Sequence, residues 1–179
     1  RAGTPIESGR TGPALREISR IKCGLPAADA SLDGERLVSL YQKECRKLGA
    51  IDFDDMLILL RELLGSDAEV REKLRSKARH LLVDEFQDLN RLQYEILKLL
   101  RPPGETGETS LFCVGDDDQS IYAFRGADVG NILAFQKDYP KAQLHRLERN
   151  YRSSAEILES AASVVKQNRA RLPKSLVAH

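Results

Sequence analysis

The first eighty residues carry apolar positions at helical spacing. Apolar residues recur at every third position within residues 14–22, which predicts a short amphipathic helix. Broader apolar stripes predict helices over residues 31–48 and 54–64, the second ending at Gly65. Residues 69–79 place alternating charges at helical spacing and predict a solvent-facing helix. This part of the chain is expected to be all-helical.

The pattern then changes to short apolar runs. Residues 81–83 and 111–114 form two such runs, and residues 92–100 between them have helical spacing. Apolar strands separated by a helix are typical of a parallel βαβ unit buried on both faces. A third unit is expected as a helix over 129–137 and a strand over 143–147, followed by a helix over 155–167. The predicted fold class is α/β.

Composition narrows the class of protein. The chain has 179 residues, 41% hydrophobic and 31% charged, which suits one soluble domain. The longest apolar run, residues 56–60, is far shorter than the ~20 residues of a membrane span, and no secretory signal pattern opens the chain. Its three cysteines, Cys23, Cys45 and Cys113, are odd in number and widely spaced, which favours a reducing, intracellular setting.

The net charge of +1 is unevenly distributed. Residues 1–50 carry nine basic against six acidic side chains, residues 51–138 eleven against eighteen, and residues 139–179 eight against three. An acidic middle between basic flanks would suit a cation-dependent site beside a polyanion. Ordinary variation of charge along a soluble chain explains the pattern equally well.

A carboxylate pair follows the first predicted strand. Asp84 comes directly after the apolar run, where a carboxylate can hold Mg²⁺ through water. Glu85 is the next residue and can orient an attacking water. This is the Walker B arrangement of a nucleotide hydrolase, although such acidic pairs also cap helices.

The segment after the second predicted strand adds further chemistry. Gln119 can sense a terminal phosphate by hydrogen bonding, and an exposed aromatic such as Tyr122 or Phe124 can stack on an unpaired base. Taken alone, aromatics at this spacing are more often core residues.

Four segments together resemble the conserved motifs of UvrD/Rep/PcrA-type superfamily 1 DNA helicases, in order and spacing. They are IDFDDML (51–57), LLVDEFQDLN (81–90), VGDDDQSIYAFRGA (114–127) and LERNYRSS (147–154). The resemblance implies a partial RecA-like motor domain, with parallel strands and flanking helices, preceded by an all-helical subdomain segment. Residues 1–52 would be the end of subdomain 1B, residues 53–138 the later part of motor domain 1A, and residues 139–179 the start of 2A.

The resemblance also implies an ATP site. Asp84 would hold the Mg²⁺ of MgATP through water, and Glu85 would activate the hydrolytic water. Gln119 would sense the γ-phosphate, and Arg125 would help to link its segment to the ATP site. Tyr151 would pack on the adenine.

The remaining implied roles concern the second motor domain and DNA. Arg152 would act as an arginine finger, a role that suits a guanidinium beside a transferring phosphoryl group. Tyr122 and Phe124 would lie by single-stranded DNA, with Phe124 stacking on a base. Phe124 stands where the family commonly has Trp, and Arg149 where Gln is common.

One departure from the family pattern is larger. ATP-hydrolysing motors use a phosphate loop GxxxxGK[ST], and these 179 residues contain no Gly-Lys dipeptide. The chain is therefore expected to be an internal fragment that lacks the Walker A loop and the C-terminal motifs, and to be inactive alone.

The resemblance thus implies part of a cytoplasmic, nucleoid-associated, ATP-dependent DNA helicase in DNA repair or replication. Expected partners are single-stranded DNA, single-strand/duplex junctions, the missing motor segments, and repair or replication proteins; no membrane is expected. One alternative is a non-catalytic helicase-like module that binds DNA or a partner protein. Another is a Mg²⁺-dependent nuclease built on Asp84, Glu85, Asp116 and Asp118.

Overall fold

Helices precede and separate short parallel strands. The first four helices are α1 (Thr11–Lys22), α2 (Gly34–Lys47), α3 (Phe53–Ser66) and α4 (Ala68–Lys77). They are followed by β1 (His80–Val83), α5 (Arg91–Leu100), β2 (Ser110–Cys113), α6 (Gly130–Asp138), β3 (Arg149–Asn150), α7 (Ala155–Val165) and β4 (Val177–Ala178). The computed structural model describes residues 11–28, 33–104, 109–121, 127–128, 130–168, 172 and 174–179.

The predicted helices of the first half are present with limits that differ by up to three residues, and the predicted stop at Gly65 is wrong. Gly65 lies inside α3, which continues to Ser66. The helix ends at Asp67, whose backbone N–H donates to the carbonyl of Leu63 at 2.9 Å. The Asp67 side chain accepts from the backbone N–H of Val70 at 3.0 Å and so caps α4. One aspartate therefore ends the first helix and begins the next.

A buried lysine joins the ends of α1 and α3. The Lys22 ammonium lies 2.7 Å from Asp52 Oδ1 and 2.6 Å from Asp55 Oδ1, and the Lys22 side chain is only 1% exposed. These three residues are called the Lys22 cluster below. Burial alone would lower the pKa of Lys22, but hydrogen bonds to both aspartates outweigh it and raise that pKa. Lys22 therefore keeps its charge, and its contacts with both aspartates fix α1 against α3.

The same two aspartates form the capping box of α3. Asp55 N donates to Asp52 Oδ1 at 2.7 Å, and Asp52 N donates to Asp55 Oδ2 at 3.3 Å. Both residues come from the segment IDFDDML (51–57). This motif is explained by helix capping and by the buried lysine.

Strands β1 and β2 pair in parallel, as predicted. Leu81 lies opposite Leu111 and Val83 opposite Cys113. The core beneath them is formed by buried Phe86, Tyr94 and Leu97, against which Ile132 and Phe135 of α6 also pack. The rings of Phe86 and Tyr94 meet edge to face at 5.7 Å. This core anchors the loops that follow each strand.

The expectation that these strands are buried on both faces is wrong. Their exposure alternates, and Leu82 and its partner Phe112 are 77% and 59% exposed. The opposite face is covered because α5 and α6 contribute the side chains that pack there. In the described part of the chain, the face of Leu82 and Phe112 has no comparable layer.

The strand predicted over residues 143–147 is also wrong. Residues 142–148 have no regular secondary structure, and Leu147 is 88% exposed. The strand is β3, where Arg149 and Asn150 pair in parallel with Val177 and Ala178 of β4. Apolar character at 144 and 147 was misleading because hydrogen-bonded pairing, rather than hydrophobicity, sets the strand limits.

Candidate functional site

The loop after β1 turns sharply at the predicted catalytic pair. Asp84 and Glu85 are both exposed, and Glu85 N donates to Asp84 Oδ1 at 2.9 Å. Glu85 has φ 47° and ψ 46°, and it is the one non-glycine residue with positive φ in the described ranges. A left-handed residue other than glycine is strained and is often found at functional sites. The turn directs Phe86 into the core while Glu85 remains at the surface.

A buried amide connects this loop to the loop after β2. The Gln87 side chain donates from Nε2 to Glu85 Oε2 at 2.7 Å, and its Oε1 accepts from the backbone N–H of Asp116 at 2.9 Å. Gln87 is only 1% exposed. Because both ends of the amide are satisfied, its burial is not costly. Gln87 therefore links the carboxylate of Glu85 to the second loop.

The two loops approach closely at Gly115. A Cβ atom there would lie 2.8 Å from Gln87 Oε1 and 3.2 Å from both Phe86 Cβ and Phe86 N. Glycine is needed at this position because a larger residue would push the Gln87 amide away.

Gln119 is held by an aspartate of its own loop. Its Nε2 donates to Asp116 Oδ2 at 2.6 Å, and the backbone N–H of Asp118 donates to Asp116 Oδ1 at 3.0 Å. Burial would raise the pKa of Asp116, but hydrogen bonds from Lys174 and Gln119 outweigh it and lower that pKa. Asp116 is therefore a carboxylate at neutral pH and a strong acceptor for Gln119.

The predicted residues fall into two groups. Asp84, Glu85 and Gln119 lie on the two linked loops at the carboxyl ends of β1 and β2, where open parallel sheets bind ligands. Tyr151 and Arg152 line an open cavity of about 330 Å³ together with Asn150, Ser153 and His179. The described walls of this cavity include no residue of the first group.

Asn150 fixes the backbone turn that lines that cavity. Its Oδ1 accepts from the backbone N–H groups of Arg152 and Ser153, both at 2.9 Å, which fixes the turn after β3. Tyr151 is 71% exposed, and its ring meets the His179 ring edge on at 4.6 Å. An exposed aromatic face beside an arginine can contact a flat, anionic ligand.

Tyr122, Phe124 and Arg125 lie outside the described residues. Their expected contacts with DNA and with the ATP site stay predictions.

Asp84 suits a hydrated cation better than the three consecutive aspartates 116–118 do. Asp84 is exposed at a strand end, with one oxygen already oriented by Glu85 N, and this fits a magnesium ion that keeps most of its water. Asp116, Asp117 and Asp118 offer oxygens within 4.8 Å of one another, but the Lys174 ammonium lies among them, 2.7 Å from Asp117 Oδ1 and 2.9 Å from Asp118 Oδ2. This arrangement does not favour the four-carboxylate nuclease.

Three residues important to this geometry were not identified from the sequence: Gln87, Asp116 in its bridging role, and Lys174. Gln87 lies in the segment LLVDEFQDLN (81–90) and Asp116 in VGDDDQSIYAFRGA (114–127). Their position in these motifs, close to the predicted site residues, was the available signal. Lys174 had no such signal, because it lies 58 residues from Asp116 along the chain.

Every helix in the described ranges is too short or too polar to cross a lipid bilayer.

Comparison with known proteins adds a family assignment. Residues 26–140 match the family model for the UvrD/REP helicase N-terminal domain. The chain is 45% identical to the ATP-dependent DNA helicase PcrA of Staphylococcus aureus over 136 residues, which are 76% of this chain and 18% of that protein. It is 44% identical to DNA helicase II of Haemophilus influenzae over 141 residues, which are 79% of this chain and 19% of that protein.

DNA helicase II of Escherichia coli is 42% identical over 142 residues, again 79% of this chain and 19% of that protein. The chain thus spans about a fifth of the length of these relatives.

Proposed function

The chain belongs to the UvrD/REP helicase family, and we propose that it forms part of an ATP-dependent DNA helicase that translocates on single-stranded DNA and unwinds duplex DNA. The α/β arrangement of its described residues would be the later part of a RecA-like motor domain. Residues 1–52 would belong to subdomain 1B, residues 53–138 to motor domain 1A, and residues 139–179 to the start of 2A.

One observation carries the proposal: a continuous hydrogen-bonded connection between the two loops. It runs from Glu85 through the buried Gln87 amide to Asp116, and from the Asp116 carboxylate to Gln119. A motor must couple the group that hydrolyses ATP to the group that senses the γ-phosphate. A rigid connection between a hydrolytic carboxylate and a phosphate-sensing amide provides that coupling.

In this proposal the exposed carboxylates of Glu85 and Asp84 activate the attacking water and hold the metal ion. Glu85 accepts the proton of the attacking water, and its bond from Gln87 keeps the carboxylate oriented toward the site. Asp84 would hold a magnesium ion through water, and an ion bound there would supply positive charge beside the phosphate oxygens.

The second group, Tyr151 and Arg152, would complete the site from the other side of the nucleotide. Tyr151 presents its exposed ring to the adenine, and Arg152 supplies a guanidinium that stabilises charge on the transferring phosphoryl group. Arg125 would link the Gln119 segment to the ATP site. Tyr122 and Phe124 would contact single-stranded DNA, with Phe124 stacking on a base.

The proposal extends to the cellular setting. Single-stranded DNA and single-strand/duplex junctions would be the nucleic-acid partners, with repair or replication proteins as further partners in the cytoplasm, near the nucleoid. The phosphate loop that cradles the β- and γ-phosphates would come from a segment outside these 179 residues, which include no Gly-Lys dipeptide.

The test compares ATP hydrolysis by the 179-residue chain with hydrolysis by the full-length helicase, each with and without single-stranded DNA. The full-length protein is expected to hydrolyse ATP faster when single-stranded DNA is added, and the 179-residue chain to show no turnover. Glu85→Gln in the full-length protein removes the base while keeping the size of the side chain. It should lower turnover by at least about a hundredfold, the low end of the usual contribution of a general base.

Two results would contradict the proposal. Wild-type turnover retained by Glu85→Gln would remove the assigned base. A full-length protein that binds DNA but hydrolyses no ATP would favour the non-catalytic helicase-like module.

A further inference from the structure

A lysine from the end of the chain reaches the loop that carries Gln119. Lys174 Nζ lies 2.7 Å from Asp117 Oδ1 and 2.9 Å from Asp118 Oδ2, and it also contacts Asp116 Oδ1. Nearby, the backbone N–H of Leu172 donates to Asp117 Oδ2 at 2.6 Å. Residues 172 and 174 therefore fasten their segment to the loop after β2. Lys174, Asp116, Asp117 and Asp118 are called the Lys174 cluster below.

The lysine also supplies the countercharge that this loop requires. Asp117 is buried, and the Lys174 side chain is 17% exposed. Three adjacent carboxylates repel one another, and in a partly desolvated position that repulsion is weakly screened. The ammonium lies among the three carboxylates, offsets part of this repulsion and holds them together.

Asp116 transmits this effect to the candidate site. Its Oδ1 contacts Lys174, while its Oδ2 accepts from Gln119 Nε2 at 2.6 Å. The carboxylate is thus held from one side by the lysine and holds the phosphate-sensing amide on the other. Without Lys174, the Asp116 carboxylate would rotate toward solvent or toward other donors. Gln119 would then lose its fixed acceptor.

We propose that Lys174 is a positioning residue for ATP hydrolysis, which acts through Asp116 to hold Gln119 in place. The proposal rests on the function proposed above and adds a residue from the predicted second motor domain. It makes the segment around Lys174 part of the machinery that senses the nucleotide.

The experiment measures kcat and KM for single-stranded-DNA-stimulated ATP hydrolysis by the full-length helicase. Lys174→Ala should lower kcat by up to about 100-fold, the loss that a displacement of about 1 Å can cause. KM for ATP should change less. Lys174→Arg retains the positive charge and should recover most of the rate. Lys166→Ala, an exposed lysine after α7, is the matched control and should behave as wild type.

A double-mutant cycle separates positioning from general stabilisation. If Lys174 acts through Gln119, Lys174→Ala should add little to the loss already caused by Gln119→Ala. Losses that multiply in the double variant would overturn the proposal, as would a Lys174→Ala rate equal to that of Lys166→Ala.

Hydrogen exchange provides a readout that is independent of ATP. The backbone amides of Asp118 and Gln119 bond to Asp116 Oδ1 and O at 3.0 and 2.9 Å, and Lys174→Ala should accelerate their exchange. Unchanged exchange would overturn the proposal. A wild-type helicase without ATP turnover would instead refute the proposed function, and faster exchange in the variant would then assign Lys174 to the loop alone.

Discussion

Two lysine–aspartate clusters in this chain use the same groups for different purposes. In the Lys22 cluster, a lysine that is 1% exposed binds aspartates that also cap α3. In the Lys174 cluster, a lysine that is 17% exposed binds aspartates on a loop, and one of them also holds Gln119. The first cluster fixes helices and the second fixes a side chain of the candidate site. The comparison teaches that the remaining hydrogen bonds of a carboxylate, rather than its ion pair, indicate its role.

Breaking the Lys22 cluster should give the largest effect, on stability alone. Lys22→Met removes the buried ammonium and leaves the partly buried carboxylates of Asp52 and Asp55 without their partner; removal of one member of a fully buried pair costs about 3–5 kcal/mol, so a loss toward the lower end is expected. Urea denaturation followed by circular dichroism measures this loss. ATP hydrolysis per folded full-length molecule should not change.

Lys47→Met is the matched control, because Lys47 and its partner Glu44 are both more than half exposed. An exposed pair contributes about 0–1 kcal/mol. Equal destabilisation by the two variants would mean that burial does not distinguish the Lys22 pair.

A smaller effect on stability, but with loss of activity, is expected at Gln87. Gln87→Leu leaves the backbone N–H of Asp116 without its acceptor, and an unsatisfied buried group costs about 1–3 kcal/mol. The variant also removes the bond to Glu85, so the rate of ATP hydrolysis should fall in the full-length protein. Denaturation and steady-state kinetics on the same variant test both effects.

Gln136→Leu provides the control for that substitution, since Gln136 is exposed on α6. If Gln87→Leu lost stability while keeping the full rate of hydrolysis, the second region would be structural like the first.

The smallest expected effect is in the pH dependence of stability. Burial would raise the pKa of Asp52, but hydrogen bonds from Lys22 and from the Asp55 amide outweigh it, and the pKa lies below its usual value of 3.8. The folded state therefore binds a proton less readily than the unfolded state. The contribution of Asp52 is complete above pH 3.8 and is lost as pH falls through the lower, folded-state value.

Acid titration of the free energy of unfolding should consequently be less steep in Asp52→Asn than in wild type below pH 4. A steeper profile in the variant would reverse the assigned sign. Asp116→Asn should show the same direction, because the pKa of Asp116 is also lowered.

Local pattern predicted the helices well, and it predicted the βαβ unit because apolar runs and helical spacing are local signals. It failed for residues 143–147, where Leu144 and Leu147 suggested a strand but pairing with residues 177–178 places it at 149–150. It failed for the exposed face of Leu82 and Phe112 because the sequence of a strand does not record what covers it.

The candidate site was predicted unevenly for the same reason. Asp84, Glu85 and Gln119 follow strands and were found from their motifs. Gln87 looked like an ordinary polar residue, and its two bonds depend on a loop 29 residues away. Long-range partners such as Lys174 are set by the tertiary fold, which the periodicity of the chain does not encode.

The left-handed backbone at Glu85 has a consequence for selection. A non-glycine residue in this conformation lowers the stability of the folded state by about 1–2 kcal/mol. Glycine avoids that strain but lowers stability by about 0.4–1 kcal/mol, because it gives the unfolded chain more conformational freedom. Loss of the Glu85 carboxylate also leaves the buried Gln87 Nε2 without its acceptor, which costs about 1–3 kcal/mol. This cost offsets the relief of backbone strain, so a laboratory screen for heat tolerance alone would retain glutamate at this position even without a demand for turnover.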